Sequence, residues 1–361
     1  MPVGKNRISE NPGRILIVRT DRLGDVVLTL PILPILRFCF PDAHIAMLLK
    51  RYTGEIVEGN PYLNELIWYD EGAGPVPFWK MRRELQARNF DAAVVVYPRF
   101  RLAWLMTLAG IPIRIGTGFR FYSFLFNRRV YEHRKNATRH EVDYNIGLLR
   151  ELGCRREGEP EFFINIPDAS RQRIRELTKQ AGDRRIVVLH PGSGGSAREW
   201  PATRFGALAA MLQKDHVSIF VTGTEVEKEK VEQVVSQSGG NGVSLAGKLN
   251  VKELAALLEQ ADLFVSNSTG PLHIAVAVGT SVVGIYPQHT AMSSARWGPR
   301  TGRKRVFVPS RPLDCEKCLE KNAQPCECMS SITVEEVYHG ARELLDRGAG
   351  VHSASVGRNS E

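Results

Sequence analysis

Short apolar runs alternate with helix-length segments along this chain, and they do so in two successive series. The first series predicts strands at 14–18 (RILIV), 44–49, 91–97 (DAAVVVY) and 112–115, with helical segments at 76–89 and 141–152, the latter closed by Gly153. The second predicts strands at 185–189, 217–222, 262–265 and 282–285, with helices at 204–214, 225–237, 251–260 and 271–278. On the 204–214 segment Phe205, Leu208, Ala209 and Leu212 form the i, i+3, i+4, i+7 stripe of a helix packed on a sheet. Such repetition commits the backbone to mostly parallel sheets covered by helices, because parallel neighbours need a crossover long enough to hold one.

At 361 residues the chain exceeds what one compact domain usually holds. The expected division is an α/β domain over 1–165, a second over 166–345 and a small, polar, disordered tail over 346–361. Lysine and arginine outnumber aspartate and glutamate 48 to 39, a net charge of +9 that favours an anionic partner. The apolar stretch from Val26 to Leu36 is broken by Thr29, Pro31 and Pro34, too short to span a bilayer. The polar opening MPVGKNRISENP lacks a secretory core, and six cysteines suit a reducing compartment, so the expected location is the cytoplasm. No helix-turn-helix, RNA-recognition or zinc-finger pattern is present, which argues against nucleic acid as the partner.

Three segments follow predicted strands and carry residues suited to chemistry. In SNSTGPLHIAVAVG (266–279), Ser268, Thr269 and Gly270 would set hydroxyls and free amides at the positive end of a helix, with His273 close behind. That is a phosphate site or an ordinary capped turn. In LHPGSGGSAREWP (189–201), Ser193, Gly194, Gly195 and Ser196 precede Arg198, whose guanidinium can grip phosphate oxygens in a fork; the plain alternative is a flexible connection. Two such loops at strand carboxyl ends lie where open α/β sheets bind ligands. Neither matches a nicotinamide fingerprint or an ATP-hydrolysing P-loop. In RTDRLGDVVLTLP (19–31), Asp25 either caps the next helix or acts as a general base.

Taken in order, ILIVRTDRLGDVVLTLPIL, HPGSGGSAREWP and SNSTGPLHIAVAVGTSVVGIYP resemble glycosyltransferase family 9, the ADP-heptose:lipopolysaccharide heptosyltransferases, over about 14–345. The resemblance implies a GT-B fold, two Rossmann-like doubly wound domains facing across a cleft, the first for acceptor and the second for nucleotide-sugar. It implies Asp25 as the base of an inverting single displacement, with Thr20 and Gly24 as its loop neighbours and assigned to the donor. It places Arg198 where a lysine commonly meets the donor phosphates, and Thr269, Gly270 and His273 on a pyrophosphate segment whose usual aspartate is Ser268 here. Leu249 matches an adenine contact and Glu227 a ribose contact. No Asp-x-Asp motif occurs, and no cofactor is expected for catalysis. The alternatives are a family member using another nucleotide-sugar and a non-catalytic nucleotide-sugar or nucleic-acid binder.

Cys315, Cys318, Cys326 and Cys328 could hold a structural zinc, against reduced thiols or a labile disulfide; Cys39 and Cys154 read as core or helix-end residues. Basic residues gather in the first domain at Arg99, Arg101, Arg114, Arg120, Arg128, Arg129 and 134–140. Together they suit an anionic glycolipid acceptor at the inner-membrane surface, with Arg128 and His140 as contacts, or else a solvated face. Phe119, Phe121, Tyr122, Phe124, Leu125 and Phe126 interleave there, as core or as lipid contacts.

Overall fold

A computed structural model describes residues 11–155, 157–240, 242–310 and 328–356. The chain divides into two compact units, which change over in sequence at Asn165 and Ile166, with Lys135–Thr138 grouped with the second.

In the first unit, β1 (Arg14–Val18), α1 (Leu23–Val27) and α2 (Ile32–Cys39) lead to β2 (His44–Leu49), α3 (Arg51–Gly54) and β3 (Glu65–Trp68). A small ribbon, β4 (Asp70–Glu71) and β5 (Gly74–Pro75), precedes α4 (Phe78–Ala87), β6 (Ala92–Val95), α5 (Phe100–Leu108), β7 (Ile113–Thr117), β8 (Arg128–Val130) and α6 (Glu141–Gly147). The sheet is parallel in the order β3-β2-β1-β6-β7-β8. Ile15, Leu16, Ile17 and Val18 are all fully buried, as expected where helices cover both faces of a parallel sheet.

The second unit opens with α7 (Asp168–Thr178), then β9 (Arg185–His190), α8 (Ala202–Leu212), β10 (Val217–Val221), α9 (Lys228–Gln237) and β11 (Gly242–Ser244). It continues through α10 (Val251–Gln260), β12 (Leu263–Asn267), α11 (Gly270–Ala277), β13 (Ser281–Ile285), α12 (Ser294–Trp297), β14 (Lys304–Phe307) and α13 (Val334–Val356). Its parallel sheet runs β11-β10-β9-β12-β13-β14. Val337, Ala341 and Leu344 of α13 close the core over Trp200 and Phe205.

With the six sheet strands of each unit counted in chain order, both sheets read 3-2-1-4-5-6, the Rossmann order. The fold is therefore α/β, built from two doubly wound Rossmann-like units, as the resemblance to the GT-B fold implies for each. Strand order reverses between β1 and β6 in the first sheet and between β9 and β12 in the second. Ligands of such sheets bind outside the strand carboxyl ends at that reversal, so the loops after β1, β9 and β12 are the ones to inspect.

Several expectations are corrected. The segment over 76–89 becomes a helix only from Phe78, because β5 occupies Gly74–Pro75. The 346–361 stretch begins as helix, since α13 runs to Val356; residues 357–361 lie outside the described set. Cys39 and Cys154 are helix-end residues as read, but they are bonded to each other rather than reduced, so these two cysteines do not support the expected reducing compartment. The carboxyl end of α2 and the residue after Gly153 bring their Cα atoms to 5.8 Å, within bridging range. Among the described residues no helix is long and apolar enough to cross a membrane.

Candidate active site

Where β1 ends, Arg19 turns inward and is almost wholly buried. A guanidinium out of water requires counter-charge. Its Nε lies 2.8 Å from Asp21 Oδ1, its Nη2 2.5 Å from Asp25 Oδ1 and its Nη1 3.5 Å from Glu141 Oε1. Glu141, at the start of α6, also takes Arg134 Nη1 at 2.6 Å. Asn145, one turn along α6, donates to Leu28 O at 3.0 Å and so pins that helix to the turn after α1.

Burial works against the charge of Arg19, but Asp21, Asp25 and Glu141 outweigh it and raise its pKa. Asp21 is pushed up to about 7, first by burial and then by Asp25, with Arg19 opposing both. Asp25 is the third residue of α1, whose N-cap position is Arg22. Its carboxylate engages Arg19 and its backbone carbonyl accepts from Thr29 Oγ1 at 2.8 Å, so the cap alternative for Asp25 is corrected. The Asp25 side chain is 18% exposed against 2% for Arg19. The buried guanidinium thus holds one oxygen of a carboxylate whose side chain is partly exposed, so Asp25 is fixed in place and within reach of a ligand.

In the second unit the loop after β9 is shaped by Gly194 and Gly195, whose φ angles of 53° and 71° favour glycine. The Gly194 amide donates to Glu227 Oε1 at 3.1 Å, and Thr224 donates its amide to Glu227 Oε2 at 2.9 Å. A Cβ at Gly192 would lie 2.0 Å from Glu227 Oε1, so this carboxylate rests on backbone that only glycine leaves open. Burial disfavours the Glu227 charge, but Thr224, His190 and Gly194 hold its pKa below the ordinary range. His190 itself, at the end of β9, is depressed by burial and pairs through Nδ1 with Thr222 Oγ1 at 3.0 Å.

Asn267, the last residue of β12, joins the two loops: its Nδ2 donates to Pro191 O at 2.8 Å while its Oδ1 accepts from the Trp200 amide at 2.8 Å. Ser196 Oγ adds a longer bond to Ser268 O at 3.5 Å. Helix α11 starts at Gly270, which makes Pro271 its second residue and Thr269 its N-cap. The Thr269 hydroxyl is buried and has no hydrogen-bond partner among the described residues. An unpaired buried hydroxyl beside free helix amides is a place for an anion's oxygens. Arg198 and His273 are both buried in these segments.

The second unit therefore gathers Ser193, Gly194, Ser196 and Glu227, with Ser196 reaching Ser268 beside Thr269 and Gly270. Leu249 is half-buried just ahead of Asn250, the cap of α10. Thr20 and Gly24 lie instead in the first unit, in and beside the Asp25 turn. Arg128 donates to the Glu151 carbonyl, and His140 caps α6 by accepting from the Val142 amide at 3.2 Å. Cys315, Cys318 and Cys326 lie outside the described residues, while Cys328 packs half-buried against the second core. Arg19, Glu141 and Asn267 were not singled out from sequence, and Asp21 was noted in the 19–31 segment without a role. For Arg19 and Asn267 the available signal was a charged or amide side chain placed at, or one residue past, the end of an apolar strand; Glu141, at the start of a helix, carried none.

Comparison with known proteins agrees with this architecture. The profile of glycosyltransferase family 9 (heptosyltransferase) matches residues 78–327. A lipopolysaccharide core heptosyltransferase of Haemophilus influenzae is 24% identical over 352 residues, covering 93% of this chain and 98% of that protein. Lipopolysaccharide heptosyltransferase 3 of Escherichia coli K12 is 25% identical over 350 residues, covering 94% and 98%. The crystal structure of a family 9 glycosyl transferase from Veillonella parvula superposes with a TM-score of 0.80 at 25% identity, covering 93% and 97%.

Proposed function

The chain belongs to glycosyltransferase family 9, the heptosyltransferases, and from that premise we propose that it moves heptose from ADP-heptose onto a lipopolysaccharide core acceptor by single displacement with inversion. The observation that carries the reading is the Arg19-held carboxylate of Asp25 beside the reversal point of the first sheet. Asp25 takes the proton of the acceptor hydroxyl as its oxygen bonds to the anomeric carbon, and the bond from that carbon to the diphosphate oxygen breaks with its electron pair. Charge then builds on the departing ADP. The amides of 192–196, the start of α11, Arg198 and His273 stabilise it electrostatically, so no cofactor is assigned to the step. Glu227 and Leu249 serve the nucleoside, and Arg128 and His140 the anionic glycolipid. The enzyme works in the cytoplasm at the inner-membrane face, and nucleic acid is not a partner.

A second reading keeps the reaction and changes the donor, because Ser268 and Arg198 replace an aspartate and a lysine usual at those positions. One experiment separates the two. Thermal shift with ADP-, UDP- and GDP-sugars, followed by transfer assays with the best binder, should select ADP-heptose. Selection of another sugar nucleotide favours the second reading, and binding without transfer to any acceptor sinks both.

A further inference from the structure

Between residues 92 and 131 the chain contains six arginines and not one aspartate or glutamate. None of the six has a carboxylate partner among the described residues. Arg101, Arg114, Arg128 and Arg129 spend bonds on the neutral carbonyls of Val76, Leu125, Glu151 and Phe126, which leaves their charge uncompensated.

The same stretch exposes aromatic rings on a firm support. In the turn after β7, Tyr122, Leu125 and Phe126 enter the core, while Phe121 is 83% and Phe124 66% exposed. The turn is tied down by Ser123 Oγ donating to Thr117 O at 2.6 Å and by Tyr122 Oη donating to Pro98 O at 2.7 Å. Phe100 and Trp104, one turn apart on α5, extend the cluster, and Phe100 stacks on Phe121 with centroids 5.9 Å apart. The rings therefore protrude from an anchored surface. They stand at the carboxyl ends of β6 and β7, the sheet edge that also carries the Asp25 loop.

We infer that this face of the first unit docks on an anionic lipid bilayer, with Phe121 and Phe124 entering the interface while the arginines meet the headgroups. Protruding aromatics with basic residues fit the boundary between headgroups and acyl chains, and the acid-free stretch matches an anionic leaflet in charge. The inference rests on the proposed glycolipid acceptor, since docking there would bring the Asp25 edge to the layer that holds such a molecule.

The test is co-sedimentation of the full chain with vesicles of phosphatidylcholine alone or mixed equally with phosphatidylglycerol. Wild type should pellet with the mixed vesicles only. The double variant Phe121→Ser, Phe124→Ser should bind them at least about tenfold more weakly with an unchanged melting temperature, both rings being outside the core. Transfer to a deacylated, water-soluble acceptor should be unaffected. Wild type that ignores the mixed vesicles, or a double variant that binds like wild type, overturns the inference. A failure of the transferase reading would show separately, as vesicle binding without transfer to the soluble acceptor.

Discussion

The Arg19 cluster gives single residues distinct and measurable duties. Asp25→Asn keeps an oxygen for Arg19 but cannot take a proton, and Asp25 does not cap α1. Initial transfer rates should fall about 10²-fold or more, with the melting curve and ADP calorimetry near wild type. Near-normal turnover would remove Asp25 from the mechanism. Asp21 makes a different prediction. Its folded pKa, raised to about 7, lies above its unfolded value, so the neutral form favours the fold. That contribution is complete below about pH 4 and is lost as pH rises toward and through 7. Melting temperatures measured from pH 5 to 8 should therefore decline in wild type more steeply than in Asp21→Asn. An equal slope in both proteins would contradict the assignment. Asp25 was legible in the sequence because it follows closely on the apolar run of β1. Its support was not: Glu141 is distant in sequence, and only the fold brings it to Arg19.

At the level of elements, the inner four strands of each sheet announce themselves as apolar runs, and the outer ones do not. β3, β8, β11 and β14 are the sheet edges, and they are short and only partly buried. Polar residues such as Arg128, Arg129 and Lys304 occupy them, so no continuous apolar pattern survives to be read. Helix α7 was missed because its stripe is thin, with only Ile174 and Thr178 buried; Arg171 and Arg173 instead hold it through Glu259 and Glu253. The loops after β9 and β12 were legible as glycine and serine after a strand, whereas the Asn267 bond between them was not. Asn267→Ala should strand a buried carbonyl and a buried amide at once, costing about 2–6 kcal/mol at the usual penalty for each. Urea denaturation checks this, with a loss below about 1 kcal/mol counting against the bridge.

For the whole molecule, the repeated strand order places comparable loops at comparable positions in both units, yet their chemistry differs. The first carries a buried charge cluster, the second glycine-shaped backbone and a vacant hydroxyl. The Cys39–Cys154 bond belongs to the first unit alone. Reduction, or Cys39→Ser with Cys154→Ser, should lower stability by about 2–5 kcal/mol. Transfer by the folded protein should persist, because the Asn145 contact to Leu28 joins α6 to the Asp25 segment independently. Loss of transfer without loss of folding would give the bond a catalytic duty. Its position also fixes when it can form. Cys154 leaves the ribosome 115 residues after Cys39, and by then every strand of the first sheet, ending with β8, has already been made. During synthesis the bond therefore cannot act before the last strand of the first sheet exists as chain, and a chain halted before Cys154 can never carry it.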